Sequence, residues 1–170
     1  MHALDLTALL LRVIVGITML AHGWNHAFGG GRIAGTARWF ASIGMRPALL
    51  HAYAATATEL GAGVLLLAGL ITPIAAAGVI GSMVVALVAN HMRNGFFIFR
   101  PGEGYEYVLM IIVVSAAIGA TGGGSWSLDE AIGIRVDGWA GLLVAAGLGG
   151  VSAAVTLASG WRRPQPGDAA

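Results

Sequence analysis

The chain has 170 residues, of which 57% are hydrophobic and 10% are charged, and its formal net charge is +1. A soluble domain of this length would carry about 25% charged residues, so the composition predicts an integral membrane protein with an all-α fold. Cysteine is absent, which excludes a disulfide relay, an iron–sulfur cluster or a thiolate zinc site built by this chain alone.

Five segments are candidate membrane-spanning helices, because a helix needs about 20 mostly apolar residues to cross a hydrocarbon core of about 30 Å. We predict these helices at residues 4–27, 49–70, 73–92, 105–120 and 138–159. The fourth is short, and the fifth is rich in Gly and Ala. No basic region precedes the first apolar run and no small-residue cleavage site follows it, so we expect a retained helix and not a signal peptide.

The connecting segments differ in character. Residues 28–50 carry three arginines and the aromatic pair Trp39 and Phe40, which predicts a short amphipathic helix along the membrane surface. The loop at 121–137 begins with a glycine run that does not have the pattern of a phosphate-binding loop. The tail at 161–170 is predicted to be disordered, and nothing in the chain indicates binding to nucleic acid.

Arginine placement predicts the orientation of the chain. Seven of the nine arginines lie after the first helix, after the third helix or at the C-terminus, whereas the opposite side has only Arg135, apart from Arg12 inside the first helix. Because loops rich in Arg and Lys stay in the cytoplasm, we expect those loops and the C-terminus to be cytoplasmic and the N-terminus to be outside. The predicted location is a bacterial cytoplasmic membrane.

Ionisable residues inside the spans are the first place to look for function, since each costs a few kcal/mol to insert and needs a partner or a wet cavity. We predict three catalytic residues, His22, His91 and Glu59, of which the two histidines would donate or exchange protons while Glu59 balances charge. Four more are predicted to line the same polar pocket: Arg12, His26, Asn94 and Glu106. The alternative for each is a structural contact without chemistry.

The spacing on the first helix adds detail to this hypothesis. Arg12, Gly16, Gly23 and His26 follow one another at intervals of about one or two helical turns and share one face. At a rise of 1.5 Å per residue, Arg12 and Glu59 reach similar depths from opposite sides, which predicts an ion pair near mid-membrane.

A metal site is not expected. His22 and His26 share a helix face, as metal ligands often do, but no Glu-x-x-His pair of the di-iron bundle type accompanies them.

An ordered set of short motifs makes the chain resemble the DoxX family of small bacterial membrane proteins. It extends over about residues 8–130 and consists of Leu10-Leu-Leu-Arg12, Ala21-His-Gly23, Glu59-Leu-Gly-Ala-Gly63, His91 with Asn94-Gly-Phe-Phe97, Glu106-Tyr107 and Trp126-Ser-Leu-Asp129. The family usually has four spans, so the resemblance implies a four-helix core at 1–130 and an added transmembrane helix at 131–160. A Lys that is common after the His-Gly pair is absent, and His26 occupies that region.

The resemblance implies a redox setting at the membrane. Family members include small subunits of thiosulfate:quinone oxidoreductase and a partner of superoxide dismutase and a sulfurtransferase in an oxidative-stress complex. We therefore expect a redox-associated subunit, of a quinone-linked oxidoreductase if it takes part in catalysis, whose pocket binds a quinone or a small thiol or sulfur compound. Its partners would be the bilayer, proteins of a redox or respiratory complex and further copies of itself.

Two other functions stay open. The chain could act as a membrane anchor or scaffold for oxidative-stress or respiratory enzymes, with its arginine-rich loops as docking surfaces. It could also act as a small proton-coupled transporter, a hypothesis suggested by the buried charges and by the similar His-x-x-Asn ends of the first and third spans, at His22 and His91.

Overall fold

The computed structural model describes residues 3–164, and within this range the chain is a bundle of helices without a β-strand. Seven α-helices follow one another: α1 (Ala3–Phe28), α2 (Arg32–Ser42), α3 (Ala48–Ala68), α4 (Thr72–Ala89), α5 (Glu106–Thr121), α6 (Leu128–Ala131) and α7 (Gly138–Gly160). A 3-10 turn at His91–Asn94 follows α4. The prediction of an all-α membrane bundle is confirmed.

Four of these helices, α1, α3, α4 and α7, are long and apolar enough to cross a membrane. The fourth predicted span is also a helix, α5, but it has 16 residues and falls below the usual length. The helix predicted in the first loop is α2, and it packs on α1 and α3. Its position along a membrane surface stays a prediction, as does the division into a four-helix core and an added helix.

Helix α4 is the centre of the bundle. It packs against α3, α5 and α7. In the most apolar 18-residue stretch of α4, 50% of the residues are buried, whereas the corresponding share in the other three long helices is 22–33%. Helix α1 joins the bundle mainly through α3, with a smaller contact to α5. Because α7 packs on both α4 and α5, the C-terminal helix is an integral part of the bundle.

Glycines bring two pairs of helices unusually close. A Cβ atom added at Gly63 on α3 would lie 2.9 Å from the Gly16 carbonyl oxygen on α1. A Cβ at Gly119 on α5 would likewise lie 3.0 Å from the Gly141 carbonyl oxygen on α7. Small residues permit such close backbone packing, which is the main way that helices associate in a membrane.

The C-terminal end of α7 is tied to the loop between α2 and α3. Trp161 donates from its indole Nε1 to the Ile43 carbonyl oxygen at 2.9 Å, and the Arg162 backbone N–H donates to the Gly44 carbonyl oxygen at 2.9 Å. The prediction of a disordered tail is therefore wrong for Trp161 and Arg162, because their N–H groups find carbonyl partners in that loop. Residues 165–170 lie outside the described residues.

Candidate functional site

A cavity of about 890 Å³ is the candidate site. It begins at the arginine-rich end of the bundle, the end that carries α2, the 3-10 turn and the C-terminal end of α7, and it follows α4 toward the other end. Helices α1, α3, α4, α5 and α7 all contribute to its wall. The predicted pocket therefore has a counterpart, built between helices in the way that ligand sites of helical bundles usually are.

The two ends of the cavity differ in chemistry. The part near the arginine-rich end contains imidazoles, carboxylates and a phenol, provided by His22, His26, Glu59, His91, Glu103 and Tyr107. The part along α4 is lined by aliphatic and small residues, such as Ile74, Ala77, Gly78 and Val85. We call these two parts the polar chamber and the α4 slot. A cavity with apolar walls and a few convergent polar groups is typical of a small-molecule site.

The closest pair in the polar chamber is His26 and Glu59. Their side chains are 15% and 5% exposed, and His26 Nδ1 lies 2.9 Å from Glu59 Oε2. Within residues 3–164, neither atom has a hydrogen bond of regular geometry to any other group. The two atoms face each other at hydrogen-bond distance, so they form a buried polar pair in the wall of the chamber.

His22 offers a free imidazole next to this pair. Its ring stacks on that of Tyr107, with centroids 6.3 Å apart and planes 19° from parallel. In the described part of the chain, the ring nitrogens of His22 make no hydrogen bond to protein groups. His22 is therefore held in place by its ring face while its nitrogens stay open to a ligand.

His91 is engaged differently. Its Nδ1 lies 2.9 Å from the Glu103 carbonyl oxygen, which can only accept, so Nδ1 must carry the proton. The Asn90 side chain then donates to Nε2 at 3.3 Å. Both ring nitrogens of His91 have protein partners, and the residue anchors the loop after the 3-10 turn.

Asn94 and Glu106 brace that same loop and do not line the cavity. The Asn94 side-chain amide donates to the Gly102 carbonyl oxygen at 2.6 Å, and Glu106 Oε2 accepts from the Ile98 backbone N–H at 3.1 Å.

The structure therefore brings four of the seven predicted site residues together in the chamber, namely His22, His26, Glu59 and His91. Their chemical roles stay predictions.

The predicted Arg12–Glu59 ion pair is wrong. Arg12 is fully buried at the other end of α1, where it donates to the Leu66 and Trp126 carbonyl oxygens at 2.9 and 2.7 Å. The register of α1 on α3 explains the error: Gly63 contacts Gly16, so Arg12 lies opposite the last turn of α3. Leu66 lies seven residues, or about 10 Å of helix, beyond Glu59.

Sequence reasoning missed several lining residues. His51 lies eight residues before Glu59 and shares its face of α3, a spacing that could have revealed it. Ser152 and Thr156 of α7 line the slot, and nothing in their spacing distinguishes them from other helix residues. The similar His-x-x-Asn motifs also differ in local structure, since His22 lies within α1 and His91 begins a 3-10 turn.

The lining carries a distinctive charge pattern. All of its residues lie within the described range, and none is Arg or Lys, whereas Glu59 and Glu103 are both present. An anion would meet two carboxylates and no permanent cation. The chamber therefore favours an uncharged or cationic ligand over an anionic one.

Comparison with known families gives one match. A sequence model of the family described as DoxX matches residues 7–92, which is 86 of the 170 residues. The matched region extends from α1 to the start of the 3-10 turn and includes the four predicted residues that meet in the chamber. Comparison with curated proteins and comparison with solved structures give no match.

Proposed function

This chain belongs to the DoxX family, and we propose that it is a redox-associated membrane subunit whose polar chamber binds the head group of a quinone-like compound. The observation that carries the proposal is the convergence of His22, His26 and Glu59 at the polar end of a largely apolar cavity. A quinone supplies two carbonyl oxygens that take up electrons and protons.

The residues present fit such a group. A quinone ring needs apolar walls and hydrogen-bond donors for its oxygens, and the chamber combines Trp39, Phe40 and Met45 with imidazole and phenol donors. His22 is the best-placed donor because its nitrogens are not used by the protein, and a ring N–H can donate to a quinone oxygen. His26 and Glu59 hold a further ionisable pair beside it. His91 orients the neighbouring loop.

The sulfur alternative fits less well. Thiosulfate and thiolates are anions, and the lining provides carboxylates but no Arg or Lys. A small sulfur compound would therefore have to bind uncharged. This charge argument favours the quinone-like ligand within the redox hypothesis.

The test is to purify the protein in mild detergent and to identify bound small molecules by organic extraction and native mass spectrometry. We expect quinone to accompany the wild type and to fall at least tenfold in His22→Ala and in Glu59→Gln. Asn25→Ala is the matched control, since Asn25 lies on the same helix, is exposed and does not line the cavity. Quinone at equal levels in all four proteins, or in none of them, contradicts the proposal.

The scaffold hypothesis is the second candidate, and one surface favours it. The segment Phe96–Phe99 lies in the loop after the 3-10 turn and is exposed along its length, with Phe99 80% exposed. Such a surface can contact a partner protein or the lipid interface. Substituting Phe97 and Phe99 by Ser should abolish recovery of a partner protein if the chain is a scaffold, whereas His22→Ala should leave that recovery unchanged.

A further inference from the structure

One face of α4 lines the cavity along almost the whole helix. Met83 of α4 lines the cavity outside this face. Eight other lining positions of α4 follow the i, i+3, i+4 rule of a single helix face: Ile74, Ala77, Gly78, Gly81, Ser82, Val85, Ala86 and Ala89. From Ile74 to Ala89 this face is about 22 Å long. Only one of its eight residues is polar. The slot is therefore a long apolar track that leads away from the chamber.

Helix α7 forms one wall of this track. Leu148, Ser152 and Thr156 line it at intervals of four residues, so they also share one helix face. The packing against α4 is close, since a Cβ atom added at Gly81 would lie 2.4 Å from Ser152 Oγ. Helix α7 lies outside the region matched by the family. This wall is thus a feature of the chain that the family match does not account for.

The track is open on its side. Ile74 and Leu148 both line it, and they are 51% and 52% exposed. These positions lie in the apolar parts of two candidate membrane spans, so the medium they face is lipid. The slot therefore opens sideways toward the bilayer while its inner end leads to the buried His26–Glu59 pair.

We propose that the α4 slot binds the hydrocarbon tail of a single-tailed amphiphile with an uncharged head, and that this ligand enters from the bilayer past α7. Its head would lie in the polar chamber, and α7 would determine which tails are accepted. The inference rests on the proposed function only for the identity of the head. The tail site is a separate property of α4 and α7.

Charge and polarity select this occupant. The chamber wall carries the buried His26–Glu59 pair and the His22 ring, whose nitrogens bond to no described protein group, so the ligand must present hydrogen-bonding groups at that end. The lining lacks Arg and Lys, so a phosphate head would find no permanent cation there. A phospholipid is therefore a poorer fit than an alcohol or a quinone that carries one tail.

The tail should contribute strongly to affinity. Each buried methylene group contributes about fourfold, from ~0.8 kcal/mol per CH₂. An aromatic side chain projecting into the slot should remove this contribution and leave head binding in place.

The test is photolabelling of the full chain in nanodiscs with a long-chain alkanol that carries a diazirine in its chain, followed by mapping of the labelled residues. We expect labels on α4 and on the Leu148–Thr156 face of α7, and at least a fivefold loss of these labels in Ser152→Phe. Val151→Phe is the matched control, because Val151 is adjacent, 62% exposed and outside the lining. Leu148→Trp is a second blocking variant, in case Ser152→Phe does not fold.

Three results would overturn the inference. The labels could be unchanged in both blocking variants, they could spread evenly over the lipid-facing sides of all helices, or a diazirine phospholipid could label the slot as efficiently as the alkanol. Displacement of the alkanol by a tailed quinone tests the head group separately. If slot labelling is blocked by Ser152→Phe but no quinone displaces it, the tail site stands and the proposed quinone function fails.

Discussion

At the scale of single residues, Arg12 and Asp129 show how two buried charged side chains hold a turn. Arg12 satisfies carbonyl oxygens in the last turn of α3, while Asp129 accepts from the Ile71 and Thr72 backbone N–H groups at 2.6 and 2.9 Å. The guanidinium also interacts with the Asp129 charge. Together they satisfy the polar groups of the tight connection between α3 and α4, so the cluster is structural.

We predict that Arg12→Met lowers the free energy of unfolding by about 2–4 kcal/mol, because it leaves the Leu66 and Trp126 carbonyl oxygens without their charged donor. Denaturant unfolding of the purified protein in detergent would measure this. Arg135→Met is the control: Arg135 is 71% exposed and pairs with Glu130 at the surface, so its removal should cost less than about 1 kcal/mol. Equal losses in the two variants would show that the Arg12 cluster is not a stabilising unit.

The polar chamber also depends on individual atoms. Both ring nitrogens of His91 have hydrogen-bond partners in the protein, whereas the ring nitrogens of His22 stay available to a ligand. The sequence treats the two histidines alike, as residues near the ends of spans. The difference arises from the loop after the 3-10 turn, whose Glu103 carbonyl oxygen lies 2.9 Å from the His91 ring.

At the scale of helices, close glycine contacts determine the register. Gly16 and Gly63 allow α1 and α3 to touch through their backbones, and this contact decides which residues face each other along the pair. The register places His26 beside Glu59 and removes Arg12 from the chamber. The geometry of the candidate site therefore depends on two residues that have no side chain.

We predict that Gly63→Ala lowers the free energy of unfolding by about 1–3 kcal/mol, because its Cβ would lie 2.7 Å from Leu20 Cγ and 2.9 Å from the Gly16 carbonyl oxygen. Gly61→Ala is the matched control on the same helix, where an added Cβ meets nothing within 4 Å. That change should be neutral or stabilise the protein by up to ~1 kcal/mol. If Gly61→Ala lowers the free energy of unfolding more than Gly63→Ala does, the close approach of α1 and α3 does not stabilise the fold.

At the scale of the whole molecule, the bundle has one arginine-rich end and one end closed by the loop between α5 and α7. The two ends carry different polar structures: the chamber lies near the first, and the Arg12–Asp129 cluster lies near the second. The bias of arginine toward the first end predicts that this end is cytoplasmic.

We predict that a membrane-impermeant maleimide labels Ala131→Cys in intact cells but labels Ser42→Cys only after the membrane is opened. Ser42 ends α2 at the arginine-rich end, Ala131 ends α6 at the other, and both are exposed. The absence of native cysteine makes each variant a single-label protein. Labelling in the reverse order would show that the chain has the opposite orientation.

The amino-acid sequence alone is enough to predict the long helices and the location of most polar residues. Predicted spans such as 4–27 and 49–70 differ from α1 and α3 by one or two residues at each end, and four predicted site residues meet in one cavity. Hydropathy is a local property, and apolar runs of this length have few stable structures other than a helix in a membrane.

Which of these groups meet depends on how the helices pack against one another. The predicted pairing of Arg12 with Glu59 failed because depth along two helices does not specify their register, which the Gly16–Gly63 contact sets. The α4 slot depends in the same way on how α7 packs against α4, between residues more than 60 positions apart in the chain. Contacts between distant segments follow from side-chain shape at their interfaces, and hydropathy does not record that shape.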